Sequence, residues 1–238
     1  RDRSTKRAYE QYSAERQTLA NLSKRYGKSE RTLRRRFDHL SLAPVSSTPP
    51  DHPVALTFDA TFFGRGYGLL IYRAEGRNIY WQEIASERIC DMEEGLRHLT
   101  AEGWRFSSIT IDGRKGAILL IERLFPEMPI QLCLFHQKAI IRRYLTAHPK
   151  TACGCAIKNL MSEIMTLSES DFLARMQSIR DTYADFLKER NELGQFMHRR
   201  LRSALRSLRC NAPYLFTFQK FPELNIPRTT NSCDGSFA

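Results

Sequence analysis

The sequence has no long hydrophobic run, and this absence argues against an integral membrane protein. No apolar stretch approaches the roughly 18 residues that a membrane-spanning helix needs. The first residues are charged, and no apolar segment typical of a secretory signal peptide follows them. The chain has 238 residues, of which 42% are hydrophobic. That is enough for one or two domains with a substantial core.

Cysteine is too scattered to form the disulfide framework of a small secreted protein. We therefore expect a reducing, intracellular compartment. The six cysteines are Cys90, Cys133, Cys153, Cys155, Cys210 and Cys233.

Acidic residues are few relative to basic ones. Lys and Arg number 37 against 26 Asp and Glu, which gives a net charge of +11. The excess is uneven, because residues 1–50 hold twelve Lys and Arg but five Asp and Glu. This concentration indicates a polyanionic partner, most simply nucleic acid, with a solvated basic face as the alternative.

Residues 1–40 follow a helical pattern. Leu19 and Leu22 begin one apolar stripe, Gly27 interrupts it, and Ser29 is a suitable N-cap for a second helix. The pattern is typical of a helix-turn-helix that binds DNA, with an ordinary basic helical hairpin as the alternative. The basic residues on the second helix are Arg31, Arg34, Arg35 and Arg36.

Residues 41–53 form a predicted linker, because four prolines and three serines favour extended backbone. The rest of the chain, 54–238, predicts an α/β domain with a mixed sheet and helices on its faces. The expected strands cover 54–63, 67–73, 78–85, 107–112 and 129–135. The expected helices cover 86–103, which Ser86 would cap, and 113–125, and a helical insertion covers about 137–225.

Two aspartates occupy unusual places in this pattern. Asp59 stands inside a β-rich segment, TFDATFF, and Asp112 ends a strand in TIDGRKG. A carboxylate in such a segment is costly unless it is paired or bound to a metal. If the two strands are neighbours, both carboxylates converge at one sheet edge, where they could bridge two hard cations. Alone, an Asp before Gly is often only a turn residue.

These residues, together with Cys133-x-x-His136 and the segment Thr229-x-Asn231-x-x-Asp234, resemble the DDE transposases. The nearest group is the bacterial insertion-sequence enzymes related to the Mutator-like transposases. The resemblance covers 54–238.

The resemblance implies a fold, an activity and a site. The fold is a ribonuclease-H-like core with a helical insertion. The activity is phosphodiester hydrolysis at transposon ends followed by strand transfer into target DNA. Asp59, Asp112 and Asp234 would be the catalytic metal ligands and would hold two Mg²⁺ or Mn²⁺ ions, with His136 beside them. Double-stranded DNA is the expected partner, the assembly on DNA a homodimer or larger, and the location the bacterial cytoplasm, with the nucleoid.

The third acid departs from the family pattern, which has Glu where this chain has Asp234. Asp is one methylene shorter and remains a competent ligand for a hard metal. The alternatives for the third acid are Glu122, Glu127 and Glu163. The helix expected after Asn231 would continue beyond Ala238, so we expect the sequence to be a piece of a longer protein.

Cys133 and His136 also allow another interpretation. Together with Cys153 and Cys155 they could form a structural zinc site, although Cys-x-Cys is a poor zinc knuckle. A buried free thiol at Cys133 is the simpler alternative.

Several basic residues outside the N-terminal helices are candidates for DNA contacts. Arg114 and Lys115 follow Asp112 directly and could bind phosphate, or could be exposed without a function. Five arginines of the helical insertion could bind the DNA backbone or form a solvated helix face: Arg199, Arg200, Arg202, Arg206 and Arg209.

Other functions stay open at this point. The chain could be a helix-turn-helix regulator whose second domain only senses or dimerises. It could also be an inactive or truncated transposase that binds DNA without cutting, or a nuclease on the same fold. A regulator requires Asp59 and Asp112 to point apart, or to pair with Lys or Arg.

Overall fold

The computed structural model describes residues 3–13, 15, 17–38 and 48–234. Two compact units are present, one in the first 47 residues and one spanning Thr48–Cys233. The division falls within the predicted linker, of which residues 41–47 lie outside the described part.

The first unit contains three helices around a small apolar cluster. Leu19, Leu22 and Leu33 are buried in that cluster. Between the second and third helices, Gly27 adopts a left-handed conformation with φ of 58° that favours glycine, and Ser29 Oγ then accepts a hydrogen bond from the Thr32 amide. The helices are α1 Arg3–Ser13, α2 Leu19–Tyr26 and α3 Glu30–Asp38.

The second unit is an α/β domain with a five-stranded mixed sheet, as the alternating pattern predicts. Strands β1, β2 and β3 pair antiparallel, and β4 and β5 continue the sheet parallel to β1, in the order β3-β2-β1-β4-β5. The strands are β1 Val54–Gly64, β2 Tyr67–Ala74, β3 Arg77–Ile84, β4 Phe106–Ile111 and β5 Ile130–Leu132.

Successive side chains of a strand point to opposite faces of the sheet. Both faces carry buried side chains. Leu56 and Phe58 are buried on the first face together with Tyr72, whose hydroxyl donates to the Met92 carbonyl in the first covering helix at 3.1 Å. The second face carries buried polar side chains. There the Gln131 amide donates to the carbonyl of Leu215 at 2.9 Å.

Nine further α-helices follow along the described part of the chain. They are α4 Ile89–Ala101, α5 Lys115–Leu124, α6 Leu134–Leu145, α7 Ala152–Glu163, α8 Glu169–Thr182, α9 Ala184–Lys188, α10 Arg199–Leu215, α11 Thr217–Lys220 and α12 Asn231–Asp234. A short 3₁₀ helix covers Pro222–Leu224. None of the helices in the described ranges is long and apolar enough to cross a membrane.

The boundaries of the predicted strands and of the two predicted helices mostly differ by one or two residues from the sequence prediction, and two of them differ by three. Helix α4 begins after Arg88, three residues beyond the start predicted from Ser86, which makes no cap there. The predicted strand over 129–135 ends at Leu132, because Cys133 is the N-cap of α6 and its thiol accepts the His136 amide.

Close packing of α4 against the sheet gives a test of the fold. A methyl group added at Gly95 would clash with the Tyr72 hydroxyl oxygen. We expect Gly95→Ala to lower the free energy of unfolding by about 1–3 kcal/mol through overpacking, even though Ala is the better helix former. Chemical denaturation measures this, with Arg97→Ala on the exposed side of the same helix as the control. Equal or greater stability of Gly95→Ala would contradict the packing.

Candidate active site

The sheet places the two predicted catalytic aspartates side by side. Strands β1 and β4 are parallel, and Thr57 pairs with Thr110. The pairing ends there; Asp59 and Asp112 each follow two residues later, Asp112 as the first residue after β4. Adjacent strands lie about 4.8 Å apart, and residues two positions apart share a face. Both aspartates therefore follow the same end of the parallel pairing, and the charge of Asp112 acts on Asp59.

The Asp59 side chain is nine-tenths buried, with 9% of its surface exposed. The Thr230 hydroxyl donates to its Oδ2 atom, and the Ala60 amide donates to Oδ1 at 2.8 Å. Its ionic neighbour is His136, whose Nδ1 lies 3.7 Å from Oδ2. Burial raises the pKa of Asp59, and the hydrogen bond from Thr230 and the charge of His136 only partly offset this. The charge of Asp112 adds to the rise.

Cys133 and His136 form a compact group with Thr230 at the start of α6. Cys133 Sγ accepts the His136 amide at 3.5 Å and the Thr230 amide at 3.3 Å. The Thr230 hydroxyl lies 3.2 Å from His136 Nδ1. One threonine therefore contacts both residues of the Cys-x-x-His motif as well as Asp59.

The charges in this group favour a protonated histidine. The hydrogen bond with Cys133 and the negative charge of Asp59 outweigh burial and raise the pKa of His136 to about 9. Burial alone would raise the pKa of the Cys133 thiol, but its hydrogen bonds to His136 and Thr230 reverse the direction and lower it. His136 is therefore a cation at neutral pH, facing the Asp59 carboxylate.

The zinc interpretation gains no support from the described residues. Cys153 is buried in α7, and Cys155 on the same helix is exposed, with its thiol donating to the Pro149 carbonyl at 3.4 Å. Among the side chains that the structure describes, no group of three or more His, Cys, Asp and Glu could hold a metal ion.

Glu87 is an acid near this site that the sequence patterns did not indicate. It lies between β3 and α4, where Arg114 pairs with its carboxylate at 3.2 Å and donates to its carbonyl at 2.5 Å. The Arg114 amide donates in turn to Asp112 Oδ1 at 3.3 Å. Burial raises the pKa of Glu87, and the charge of Asp112 adds to it against the opposing effect of Arg114. Arg114 thus links Glu87 to Asp112.

The alternative third acids are engaged elsewhere or lie in a turn. Glu122 accepts a hydrogen bond from the Tyr214 hydroxyl at 2.8 Å, and Glu163 pairs with Arg175 at 2.8 Å. Glu127 sits in the turn after α5 with φ of 65°.

Asp234 stays a prediction as the third ligand, because its side chain lies outside the described part of the structure. It is the last residue of α12, which begins at Asn231 directly after Thr230. The motif singled out Thr229, whereas the next residue, Thr230, makes the contacts with Asp59 and Cys133.

The predicted DNA contacts lie on the surface of their own elements. Lys115 is exposed at the start of α5, and the side chain of Arg114 is held by Glu87. The arginines on α3 are all exposed: Arg31, Arg34, Arg35 and Arg36. Their role in DNA binding stays a prediction.

The burial of Asp59 predicts a pH-dependent gain in stability when its charge is removed. Because the pKa of Asp59 is higher in the folded chain than in the unfolded chain, ionisation costs folding free energy above the unfolded pKa. We expect Asp59→Asn to be more stable than the parent chain at pH 7 in the presence of a chelator. The difference should shrink as the pH falls through the folded pKa and vanish below about pH 3.9.

Urea denaturation at several pH values measures the difference, and Asp185→Asn provides the control because the Asp185 side chain is fully exposed. A parent chain that is more stable than Asp59→Asn at pH 7 would show that the buried carboxylate is already compensated.

Comparisons with known proteins leave the family open. No protein-family model matches the chain, and no curated protein matches it significantly. Among solved structures, a chain of the simian T-cell lymphotropic virus intasome in complex with PP2A regulatory subunit B56 gamma is 14% identical, with a TM-score of 0.28. The match covers 84% of this chain and 68% of that chain. At this TM-score the similarity carries no weight for fold or function.

Proposed function

We propose that the protein is a DNA transposase that hydrolyses phosphodiester bonds at element ends and joins them to target DNA. The observation that carries the proposal is that Asp59 and Asp112 each lie two residues beyond the last paired position of the neighbouring parallel strands β1 and β4. A buried carboxylate beside a second acid at a sheet edge is a typical setting for metal-dependent phosphoryl transfer.

The proposed core is ribonuclease-H-like. Three antiparallel strands followed by two parallel strands, each after a helix, support this assignment. The first acid lies on the central strand and the second at the end of the adjacent strand, in the arrangement that the sequence resemblance implies. Helices α6 to α11 constitute the proposed insertion between the second and third acids.

The proposed metal ligands are Asp59, Asp112 and Asp234. Carboxylate oxygens suit Mg²⁺ or Mn²⁺, and the buried, partly compensated Asp59 fits a role as a cation ligand. Two bound ions would activate the attacking oxygen and stabilise the leaving oxygen of the phosphodiester. Asp234 is assigned by its place in the Thr-x-Asn-x-x-Asp segment, directly after the buried Cys233.

The remaining residues of the site have proposed roles in binding and orientation. Thr230 and the Ala60 amide each hold one oxygen of Asp59, so the carboxylate has a set orientation. His136 carries a positive charge at neutral pH and is 32% exposed, so it could also contact a phosphate of the DNA. Cys133 positions His136 through the N-cap of α6.

The N-terminal helices are proposed to bind DNA. In a helix-turn-helix the second helix of the motif enters the major groove, and here that helix is α3 with its four exposed arginines. The proposed assembly on DNA is a dimer or larger.

The main competing function is a DNA-binding protein that does not cut. A regulator would have Asp59 neutralised by a cationic side chain, and the described partners of Asp59 include the positively charged His136. The cleavage assay below therefore distinguishes the enzyme from the regulator. An inactive transposase would have the same fold, and only the plasmid-nicking assay below would distinguish it from an active enzyme.

We expect the full chain to nick supercoiled plasmid DNA in Mn²⁺ or Mg²⁺ and to lose this activity in a chelator. Asp59→Asn and Asp112→Asn should each lower the nicking rate by at least ~100-fold, because each removes a ligand charge. Gel electrophoresis of the plasmid measures the rate, and Asp185→Asn is the control.

Equal nicking by Asp59→Asn and the parent chain would refute the assignment of the site. A parent chain that binds the plasmid but never nicks it would favour the non-cutting alternative.

A further inference from the structure

Helix α10 has two chemically distinct sides. Leu201, Ala204 and Leu208 are buried and face the core. Four arginines recur on another side at intervals of three, four and three residues, which places them on one helix face. They extend over about 15 Å, since an α-helix rises about 1.5 Å per residue. They are Arg199, Arg202, Arg206 and Arg209.

This arginine face lines a groove against α8 and α9. The groove has a volume of about 570 Å³, and a single acid, Asp181, lines it. Leu187 and Leu205 form part of its floor and are both more than nine-tenths buried. Besides the four arginines of α10, its cationic residues are Arg180 and Lys188.

The positive charge of the groove is largely uncompensated. Arg180 bonds the amide oxygen of Gln177 at 3.3 Å, and Arg202 bonds the Leu187 carbonyl at 3.0 Å. Arg202 also lies over the Phe196 ring at 3.6 Å. These partners are all uncharged, so they fix the geometry of the guanidinium groups without neutralising them.

Three further contacts involve the other charged residues of the groove. Arg199 bonds the side-chain oxygen of Gln195, and Lys188 pairs with the exposed Asp185 at 3.5 Å. Asp181 accepts a hydrogen bond from Gln177 at 2.7 Å. Arg206 and Arg209 have no hydrogen-bond or ion-pair partner among the described residues. Like charges this close repel one another unless an anion lies between them.

We propose that this groove binds the sugar–phosphate backbone of nucleic acid. Guanidinium groups bind phosphate in a bidentate manner, and a row of them about 15 Å long matches an extended, regularly charged chain. A bilayer surface is flat and does not enter a concave groove. An acidic peptide is distinguished from nucleic acid by the test below.

This inference rests on the proposed function, because a transposase has to bind DNA on either side of the bond that it cuts. The inference uses none of the acids of the catalytic site. Binding measured without divalent ions therefore tests it separately from cleavage.

The test uses the full chain, a fluorescein-labelled duplex of about 30 base pairs with arbitrary sequence, and EDTA. Fluorescence anisotropy over a range of KCl concentrations gives the affinity and its salt dependence. We expect Arg206→Ala/Arg209→Ala to bind about tenfold more weakly at moderate salt. The slope of log K against log[KCl] should become shallower by about 1.8, since each lost phosphate contact contributes about 0.9.

The matched control is Arg97→Ala/Arg123→Ala, which removes the same charge on α4 and α5. Both of those arginines pair with Glu93 instead of facing the groove. A second variant, Arg206→Lys/Arg209→Lys, should retain most of the salt dependence, because it keeps the charge. Denaturation curves establish that each variant is folded.

Three results would overturn the inference. The first is an unchanged affinity and slope for a folded Arg206→Ala/Arg209→Ala chain. The second is an equal loss in the control variant, which would show a general effect of net charge. The third is tighter binding of poly-glutamate or of phosphatidylserine vesicles than of DNA, lost in the same variant, which would assign the groove to another polyanion.

Discussion

The buried carboxylate of Asp59 is the constraint on which the rest of the site depends. Burying a carboxylate is costly, and this one is held by the Thr230 hydroxyl and the Ala60 amide and faces a charged His136. Thr230 lies 171 residues further along the chain than Asp59. The hydrogen bond between them therefore joins the first strand to the segment that follows the whole helical region.

The polar face of the sheet explains how that distant segment reaches Asp59. Thr110 and Gln131 are buried on this face, where each needs a hydrogen-bond partner. The Thr110 hydroxyl donates to the Pro227 carbonyl at 2.9 Å, and the Gln131 amide donates to the Leu215 carbonyl at 2.9 Å. These two hydrogen bonds hold Leu215 and Pro227 against the sheet, and Thr230 follows Pro227 by three residues at the site.

The sequence was informative where the relevant physics is local. Period-two alternation in β1 and the Ser29 cap of α3 are readable from short segments, because they depend on neighbouring residues. The common edge for Asp59 and Asp112 followed from their positions relative to two strands, once those strands are assumed to be neighbours.

Other features depend on contacts between distant segments and leave no local pattern. The bond from Thr230 to Asp59 is one example, and the motif drew attention to the adjacent Thr229 instead. Glu87 is another, because an acid just before a helix usually serves that helix, whereas here Arg114 of a later segment binds it. The sequence pattern placed Cys133 in a strand. Its actual role as the N-cap of α6 leaves no recognisable pattern, because a thiol rarely serves as an N-cap.

The central claim is that Asp59 and Asp112 form one divalent-cation site. Mn²⁺ binding to the full chain, measured by isothermal titration calorimetry without DNA, tests this most directly. The account predicts saturable binding to the parent chain and to Asp185→Asn, and its loss in both Asp59→Asn and Asp112→Asn. Undiminished Mn²⁺ binding by both of these variants would contradict it.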